Sequence, residues 1–485
     1  MTDAAHGKEI GKRVTAPHTP GGDPAGHYDV LIIGAGTGGY PAAIRAAQLG
    51  LRTAVIERDK VGGLCLHRGC VPTKALLQSA QALSTVRRAA DHGITTGDVS
   101  FDYAAMQARK DKIVGQMHRG VESLFKKYKV DSLPGTAEVR SPREVEYTPA
   151  DGGAARRLTG AHLVLATGAE PQPLDGLPFD GQQVLNTDQL LARPQVPAAI
   201  VVVGAGAWST EWAFLLATLG AQVTLVAAGP TVLPGFDAEI GKQLERLIGR
   251  KLLKVVTGTA LRAADFERTP EGLRVQLGGG KTADADCALV AGGWAPRIGA
   301  GLDRLGLRLE QGFVATDALG RSGVDGVWAI GDLTGGLLLA HEAMLEGITA
   351  AETIAGRRPL PVDRTRIPRM AYTWPECASI GLGEDEAKAA GRVVKTAKFP
   401  YTANARAQTH GEANGFVKVV TAADGQVLGV HIIGPNATEL IGTPAVAQLL
   451  QAVAWEVGAA SFPHPTVGEA LWEAARMIDG AQIHL

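Results

Sequence analysis

The chain has 485 residues, 45% hydrophobic and 20% charged, and 48 basic against 49 acidic residues leave a formal charge of −1. At roughly 100–200 residues per domain it is too long for one core, and the balanced charge excludes a basic field for nucleic acid or an anionic membrane surface. No apolar run reaches the roughly 18 residues of a membrane span, and four cysteines (Cys65, Cys70, Cys287, Cys377) are too few for a disulfide framework of this size, which points to the cytoplasm.

Residues 1–27 carry Gly, Pro, His, Lys and Thr without an apolar core, so they read as a flexible tail and not as a secretory signal. The apolar run DVLIIG (29–34) then opens into GAGTGG, a helical stretch PAAIRAAQLG, and a second strand RTAVIE ending at Glu57. This is a βαβ unit. Its glycines stand at the dinucleotide-binding positions. Gly34 allows the tight turn, Gly36 lets the backbone approach a pyrophosphate, and Gly39 allows close helix–strand packing. The helix N-terminus supplies free N–H groups for the phosphates. Glu57, about 20 residues on at a strand end, is placed to accept from a ribose hydroxyl.

The next segment, GGLCLHRGCVPTK (62–74), separates Cys65 and Cys70 by four residues. On a helix this is just over one turn, within disulfide reach if the turn is distorted. Zinc would need more ligands than His67 offers nearby, and two inert thiols are the bland alternative. A redox disulfide beside a cofactor ring also fits. Positive charge from Lys74, on the helix that follows, would favour the reactive thiolate.

This segment resembles the redox-centre signature of the class I pyridine nucleotide–disulfide oxidoreductases, and the resemblance runs from about residue 28 to the end. It implies FAD on the first glycine loop. It also implies that Cys65 exchanges with the substrate, that Cys70 faces the flavin and can form a charge-transfer pair with it, and that Lys74 pairs with Glu211 near the flavin.

Farther along, 97–130 reads as helical, with the amphipathic run KIVGQMHRGVESLFKKY, and 130–165 as strands closing on HLVLATG. The ATG of Ala166–Gly168 is a further family mark. After a Pro- and Gly-containing stretch at 171–181, a second βαβ unit begins at 199 with AIVVVGAGAW, a helix through LLATLG and the strand QVTLV. Gly204, Gly206 and Glu211 follow the family pattern of a nicotinamide dinucleotide loop. Three positions depart from it. Trp208 replaces a small aliphatic residue, and Trp294 replaces an Arg in GWAPR. The strand ends in Ala227-Ala228-Gly229-Pro230, where NAD enzymes place an acid and NADP enzymes an Arg. Ser209 stands at the third glycine position. Trp208, Ala227 and Trp294 together point to nicotinamide binding that is weakened, remodelled or lost.

AIGD (Ala329–Asp332) and AHEAMLEG (Ala340–Gly347) continue the family pattern. The resemblance puts Asp332 on the flavin ribityl chain and Gly168, Ala340 and His341 at the cofactor. Residues 356–368 read as a linker. The last 120 residues mix strands (GFVKVV, QVLGVHII) with helices (AVAQLLQAVAWEV), an α+β domain. Within it YTWPECASIG, FPYTANARAQ and GVHIIGPNATELI look like the lipoamide dehydrogenase branch.

Near the end stands PHPTVGE, with His464 and Glu469. A dithiol is mostly protonated at pH 7, since a thiol titrates near about 8.5. A base must take that proton, and an imidazole backed by a carboxylate is suited to it. In the family this pair completes the active site of the other subunit, which implies a homodimer. Phe462 stands where the family often has a second His, and His464–Pro465 is a candidate cis bond.

The expected fold is α/β: two Rossmann-like dinucleotide-binding domains with a C-terminal α+β dimerisation domain. The expected bounds are a tail at 1–27, the first part of an FAD domain at 28–182, an NAD-like domain at 183–293, a central segment at 294–362 that completes the FAD site and an interface domain at 363–485. The expected activity is FAD-dependent oxidation of a dihydrolipoyl group, on a lipoyl-bearing protein or a small dithiol, with electrons passing to NAD+; no metal is expected. The rivals are the same chemistry with another acceptor, a mercuric- or glutathione-reductase-like activity, and a non-catalytic FAD-binding subunit. The chain ends GAQIHL without the additional Cys pair of mercuric reductases, and the NADPH-binding arginines of a glutathione-type site are not found.

Overall fold

The computed structural model describes residues 26–249 and 252–485, so the expected tail lies outside the described residues but for Gly26 and His27. The chain divides into two compact units. One comprises Met1–Pro72, Lys110–Glu170 and Trp294–Arg364, and the other Thr73–Arg109, Pro171–Gly293 and Thr365–Leu485.

The first unit is built on a mostly parallel sheet. The strand His27–Ile33 lies between Thr53–Glu57 and Arg156–Leu165, parallel to both, with Ile33 beside Ile56 on one side and Leu165 on the other. Asp131–Ser141 and Val327–Ala329 extend the sheet in parallel on the two flanks. Glu144–Pro149 is the antiparallel exception, paired with Asp131–Ser141 and Arg156–Leu165. Successive side chains of a strand point to opposite faces. Leu31 and Ile33 therefore join one buried cluster, with Ile56 and Leu165, while Val30 and Ile32 join another, with Val55 and Val164. Both faces are covered, which is why DVLII reads as an unbroken apolar run and not as an alternation.

Helices Gly39–Gln48 and Ala340–Ile354 pack together on this sheet. A Cβ on Gly347 would run into the carbonyl oxygen of Gly38, so only glycine permits this crossing.

The second unit contains a fully parallel five-stranded sheet in the order Lys254–Val256, Gln222–Val226, Ala199–Val203, Cys287–Val290, Val184–Leu185. The helix Ala207–Thr218 is buried from Ser209 to Ala217, so it has no solvent face to keep polar and its sequence shows no amphipathic period. An antiparallel meander (Phe266–Thr269, Gly272–Gln276, Thr282–Ala285) stands beside the sheet in sequence.

The C-terminal part forms an antiparallel five-stranded sheet in the order Arg369–Ala371, Glu376–Gly381, Val427–Gly434, Phe416–Ala422, Val394–Pro400. The run AVAQLLQAVAWEV, expected as helical, forms the helices Gly442–Leu449 and Ala454–Ala459. The break falls at Gln451, in the left-handed region at φ +56°, and beyond it Val453 bridges to Gln426. A tertiary backbone pairing thus sets where the helical pattern is interrupted. No helix among the described residues is long and apolar enough to cross a membrane.

Candidate active site

The first unit carries the glycine loop and the cysteines. Gly34 has φ +100°, and a Cβ there would strike the carbonyl oxygen of Ala166. Beyond the strand Thr53–Glu57 the chain returns to this loop. Gly62 donates its N–H to Ala35 O at 2.8 Å. A Cβ on Gly63 would lie 2.5 Å from the Gly36 Cα. The two glycines ahead of Cys65 therefore let the cysteine segment settle directly on the dinucleotide loop. Glu57 accepts from Ala35 N–H at 2.7 Å and from Asp59 N–H at 2.9 Å. Its carboxylate braces the loop while each oxygen keeps a further lone pair for a ribose hydroxyl.

Cys65 lies in the short helix Gly63–His67 and Cys70 opens the helix Cys70–Arg87. The helix is interrupted between them, and the two form a disulfide with Cα atoms 4.7 Å apart, inside the usual span. Both are half-buried. Cys287 and Cys377 are free and buried, and burial pushes the Cys287 thiol up to about 11 and that of Cys377 higher still. The chain thus has one oxidised pair open to exchange and two inert thiols. Among the described residues no group of three or more His, Cys, Asp or Glu is arranged to hold a metal ion.

Asp332 lies in the turn that follows the strand Val327–Ala329. Burial, and then the Glu342 charge, push its carboxyl up to about 6. Glu346 is pushed up to about 7 by burial, against the pull of Gly331 N–H at 2.7 Å and of Arg364. Arg364 reaches Glu342 at 2.8 Å and Glu346 at 3.0 Å. Among the described residues none donates to the half-buried Asp332 carboxylate, which makes it an acceptor suited to a hydroxyl donor. That is what a flavin ribityl chain offers, and the residues present fit FAD. Gly168, at φ +73°, is held by Arg297 N–H on its carbonyl at 2.9 Å, and Ala340 opens the helix that carries His341, Glu342 and Glu346.

In the second unit, Lys74 Nζ contacts Glu211 Oε2 at 2.6 Å. Glu211 is 1% exposed, and a buried carboxylate without a partner would cost several kcal/mol, on the order of 3–5. Tyr372 donates its backbone N–H to the other oxygen at 2.9 Å. The pair the family resemblance implied is therefore formed, with a third participant.

The second glycine loop keeps its shape. Gly204 has φ +122°, and Gly206 caps the helix Ala207–Thr218 with open space where a Cβ would stand. Ser209, fully buried, donates its hydroxyl to Gly206 O at 3.0 Å, which explains how it replaces glycine. At the strand end Ala227 is buried and offers only backbone, donating to Val256 O at 2.8 Å. Trp208 and Trp294 are half-buried. The loop fits a pyrophosphate, while position 227 supplies no carboxylate for a ribose.

His464 Nδ1 lies 2.8 Å from Glu469 Oε1, and Glu469 Oε2 accepts from Thr466 N–H at 2.7 Å. Glu469 opens the helix Glu469–Met477, whose buried Leu471, Ala474 and Ala475 fix it. The carboxylate holds the proton on Nδ1, which leaves the Nε2 lone pair on a side chain 70% exposed. The His464–Pro465 bond is cis, as the sequence reading anticipated.

Thus Gly34, Gly36, Gly39, Glu57, Cys65, Cys70, Gly168, Asp332, Ala340 and His341 belong to one unit. Lys74, Gly204, Gly206, Glu211, His464 and Glu469 belong to the other. The sequence reading missed Glu342, Glu346, Arg364 and Tyr372. The spacing of the two glutamates, four apart on one helix face, was the available signal for the first two.

Comparison with known proteins adds the following. Residues 28–347 match the family described as pyridine nucleotide-disulphide oxidoreductase, and 367–475 match its dimerisation domain. The chain is 41% identical over 472 residues to a dihydrolipoyl dehydrogenase of Bacillus subtilis, covering 95% of this chain and 100% of that one. It is 41% identical over 461 residues to dihydrolipoyl dehydrogenase 3 of Pseudomonas aeruginosa, covering 93% and 98%. Among solved structures it is similar to LpdA of Mycobacterium tuberculosis, with a TM-score of 0.86 at 29% identity over 93% of this chain and 99% of that one.

Proposed function

Because the chain belongs to the pyridine nucleotide-disulphide oxidoreductase family, we propose that it is a dihydrolipoyl dehydrogenase, oxidising a dihydrolipoyl group through Cys65–Cys70. The observation that carries this reading is the disulfide on the glycine loop, with Gly63 packed against Gly36. Residues 28–182 and 294–362 are assigned to FAD, 183–293 to the nicotinamide, and 363–485 to the interface of a cytoplasmic homodimer.

The chemistry follows from the side chains. His464 Nε2 takes a proton from one thiol of the substrate, and Glu469 stabilises the imidazolium. The thiolate attacks Cys65 Sγ; the Cys65–Cys70 bond breaks and Cys70 Sγ leaves as a thiolate. The second substrate thiol then attacks the substrate sulfur of the mixed disulfide, and its proton passes to the departing Cys65 sulfur. A cyclic disulfide closes and Cys65 is released as a thiol, while the first proton stays on His464 and Cys70 stays a thiolate. The substrate has lost two electrons and the cysteine pair has gained them. Bound FAD supplies the two-electron carrier between that pair and NAD+. His464 and Glu469 serve the disulfide of the partner protomer.

Position 227 favours a second reading in one respect, because an alanine there gives neither the acid of an NAD site nor the arginine of an NADP site. Steady-state assays separate the two. The expected result is dihydrolipoamide-dependent formation of NADH, abolished by Cys65→Ser. Turnover with an artificial acceptor alone would remove NAD+ from the account, and unchanged turnover in Cys65→Ser would remove the disulfide.

A further inference from the structure

We propose that Tyr372 is a positioning residue for the Lys74–Glu211 pair, holding the acid by its backbone and the ammonium by the face of its ring. The inference rests on the reading above, in which Lys74 serves the flavin. It concerns what keeps that charge in place.

A lysine is a point charge on a flexible four-carbon stem, and one carboxylate fixes only one direction of approach to it. Here Lys74 Nζ lies 2.6 Å from Glu211 Oε2 and 4.7 Å from the centroid of the Tyr372 ring, within cation–π range. Glu211 is constrained in turn, since its Oε1 accepts from Tyr372 N–H at 2.9 Å. One residue therefore contacts both members of the pair by two different means.

Tyr372 is itself anchored. It directly follows the strand Arg369–Ala371, and its hydroxyl hydrogen-bonds the Thr438 side chain. Thr438 donates its N–H and its hydroxyl to Glu376 Oε2 at 2.9 and 2.8 Å. A chain of contacts thus runs from Glu376 through Thr438 and the Tyr372 ring to Lys74, all within one compact unit. A purely structural tyrosine would need only its apolar contacts and one bond for its hydroxyl. This one gives its ring to a cation and its amide to that cation's counterion.

The test is the two-electron midpoint potential of the FAD-loaded enzyme, measured for wild type, Tyr372→Phe, Tyr372→Leu and Lys74→Met, with flavin content checked for each. A positive charge held in place favours the electron-rich reduced form. Loss of the ring frees the ammonium to swing away, and displacing a charge at a partly buried site disfavours the reduced form by roughly tenfold, which converts to about 30 mV for a two-electron couple. Tyr372→Leu is expected to lower the potential by that amount, Lys74→Met by more, and Tyr372→Phe to restore the wild-type value because the ring remains. If Lys74→Met moves the potential and Tyr372→Leu does not, the inference about Tyr372 is overturned while the role of Lys74 stands. If neither moves it, the placement of Lys74 by the flavin falls, and this inference with it.

Discussion

Asp332 has an environment that suits a ligand better than it suits the empty protein. Its carboxyl is held up near about 6, against 3.8 for the unperturbed group, first by burial and then by the Glu342 charge. A raised carboxyl means that the fold prefers the protonated form. The associated stability is present below the unfolded value and is lost as pH rises through the folded one. A shift of about two units corresponds to about 3 kcal/mol. Urea unfolding of the flavin-free protein between about pH 4 and pH 8 is therefore expected to show Asp332→Asn gaining on wild type by up to about 3 kcal/mol as pH rises. A difference independent of pH would contradict the assignment. At this scale legibility varied with chemistry. Cys65, Cys70, His464 and Glu469 announce themselves because their side chains carry the reaction. Tyr372 does not, since it reaches Glu211 through a backbone N–H that any residue possesses. Glu57 was legible as a loop residue, but its bonds to Ala35 and Asp59 depend on a strand end and a turn meeting in space.

Elements follow from patterns where packing is regular and escape them where packing is special. The strands around 29–34 and 199–203 were readable because parallel strands covered on both faces are apolar throughout. The helices of AVAQLLQAVAWEV were readable too, but the position of the break between them, at Gln451, was not, because the pairing of Val453 with Gln426 sets it. The contact of Gly39–Gln48 with Ala340–Ile354 is equally specific. Gly347 sits where any Cβ would meet the Gly38 carbonyl oxygen. Gly347→Ala must push the helix carrying His341, Glu342 and Glu346 away from the first glycine loop. Overpacking of this kind costs about 1–3 kcal/mol. Chemical unfolding of the flavin-loaded variant should register that loss together with weaker flavin retention. A variant as stable as wild type would mean that the helices separate without strain.

For the whole molecule, the sequence reading gave the FAD site a first part at 28–182 and a completing segment at 294–362, and each compact unit is assembled from three segments distant along the chain. Even the helix Cys70–Arg87 begins in one unit and continues in the other. Such interleaving leaves no periodic trace, because it arises from strands such as Val327–Ala329 joining a sheet begun three hundred residues earlier at His27–Ile33. The family resemblance carried more of the organisation than composition or hydropathy did. It could not decide how the departures at Trp208, Ala227 and Trp294 affect the acceptor. The central claim is that one pair of sulfurs takes electrons from a dithiol. It is tested most directly by residue-resolved alkylation of the native FAD-loaded protein before and after anaerobic addition of dihydrolipoamide. Cys65 and Cys70 should be unlabelled before addition and labelled after it, with the buried Cys287 and Cys377 silent throughout. Oxidation of the added dithiol while Cys65 and Cys70 stay unlabelled would contradict the account.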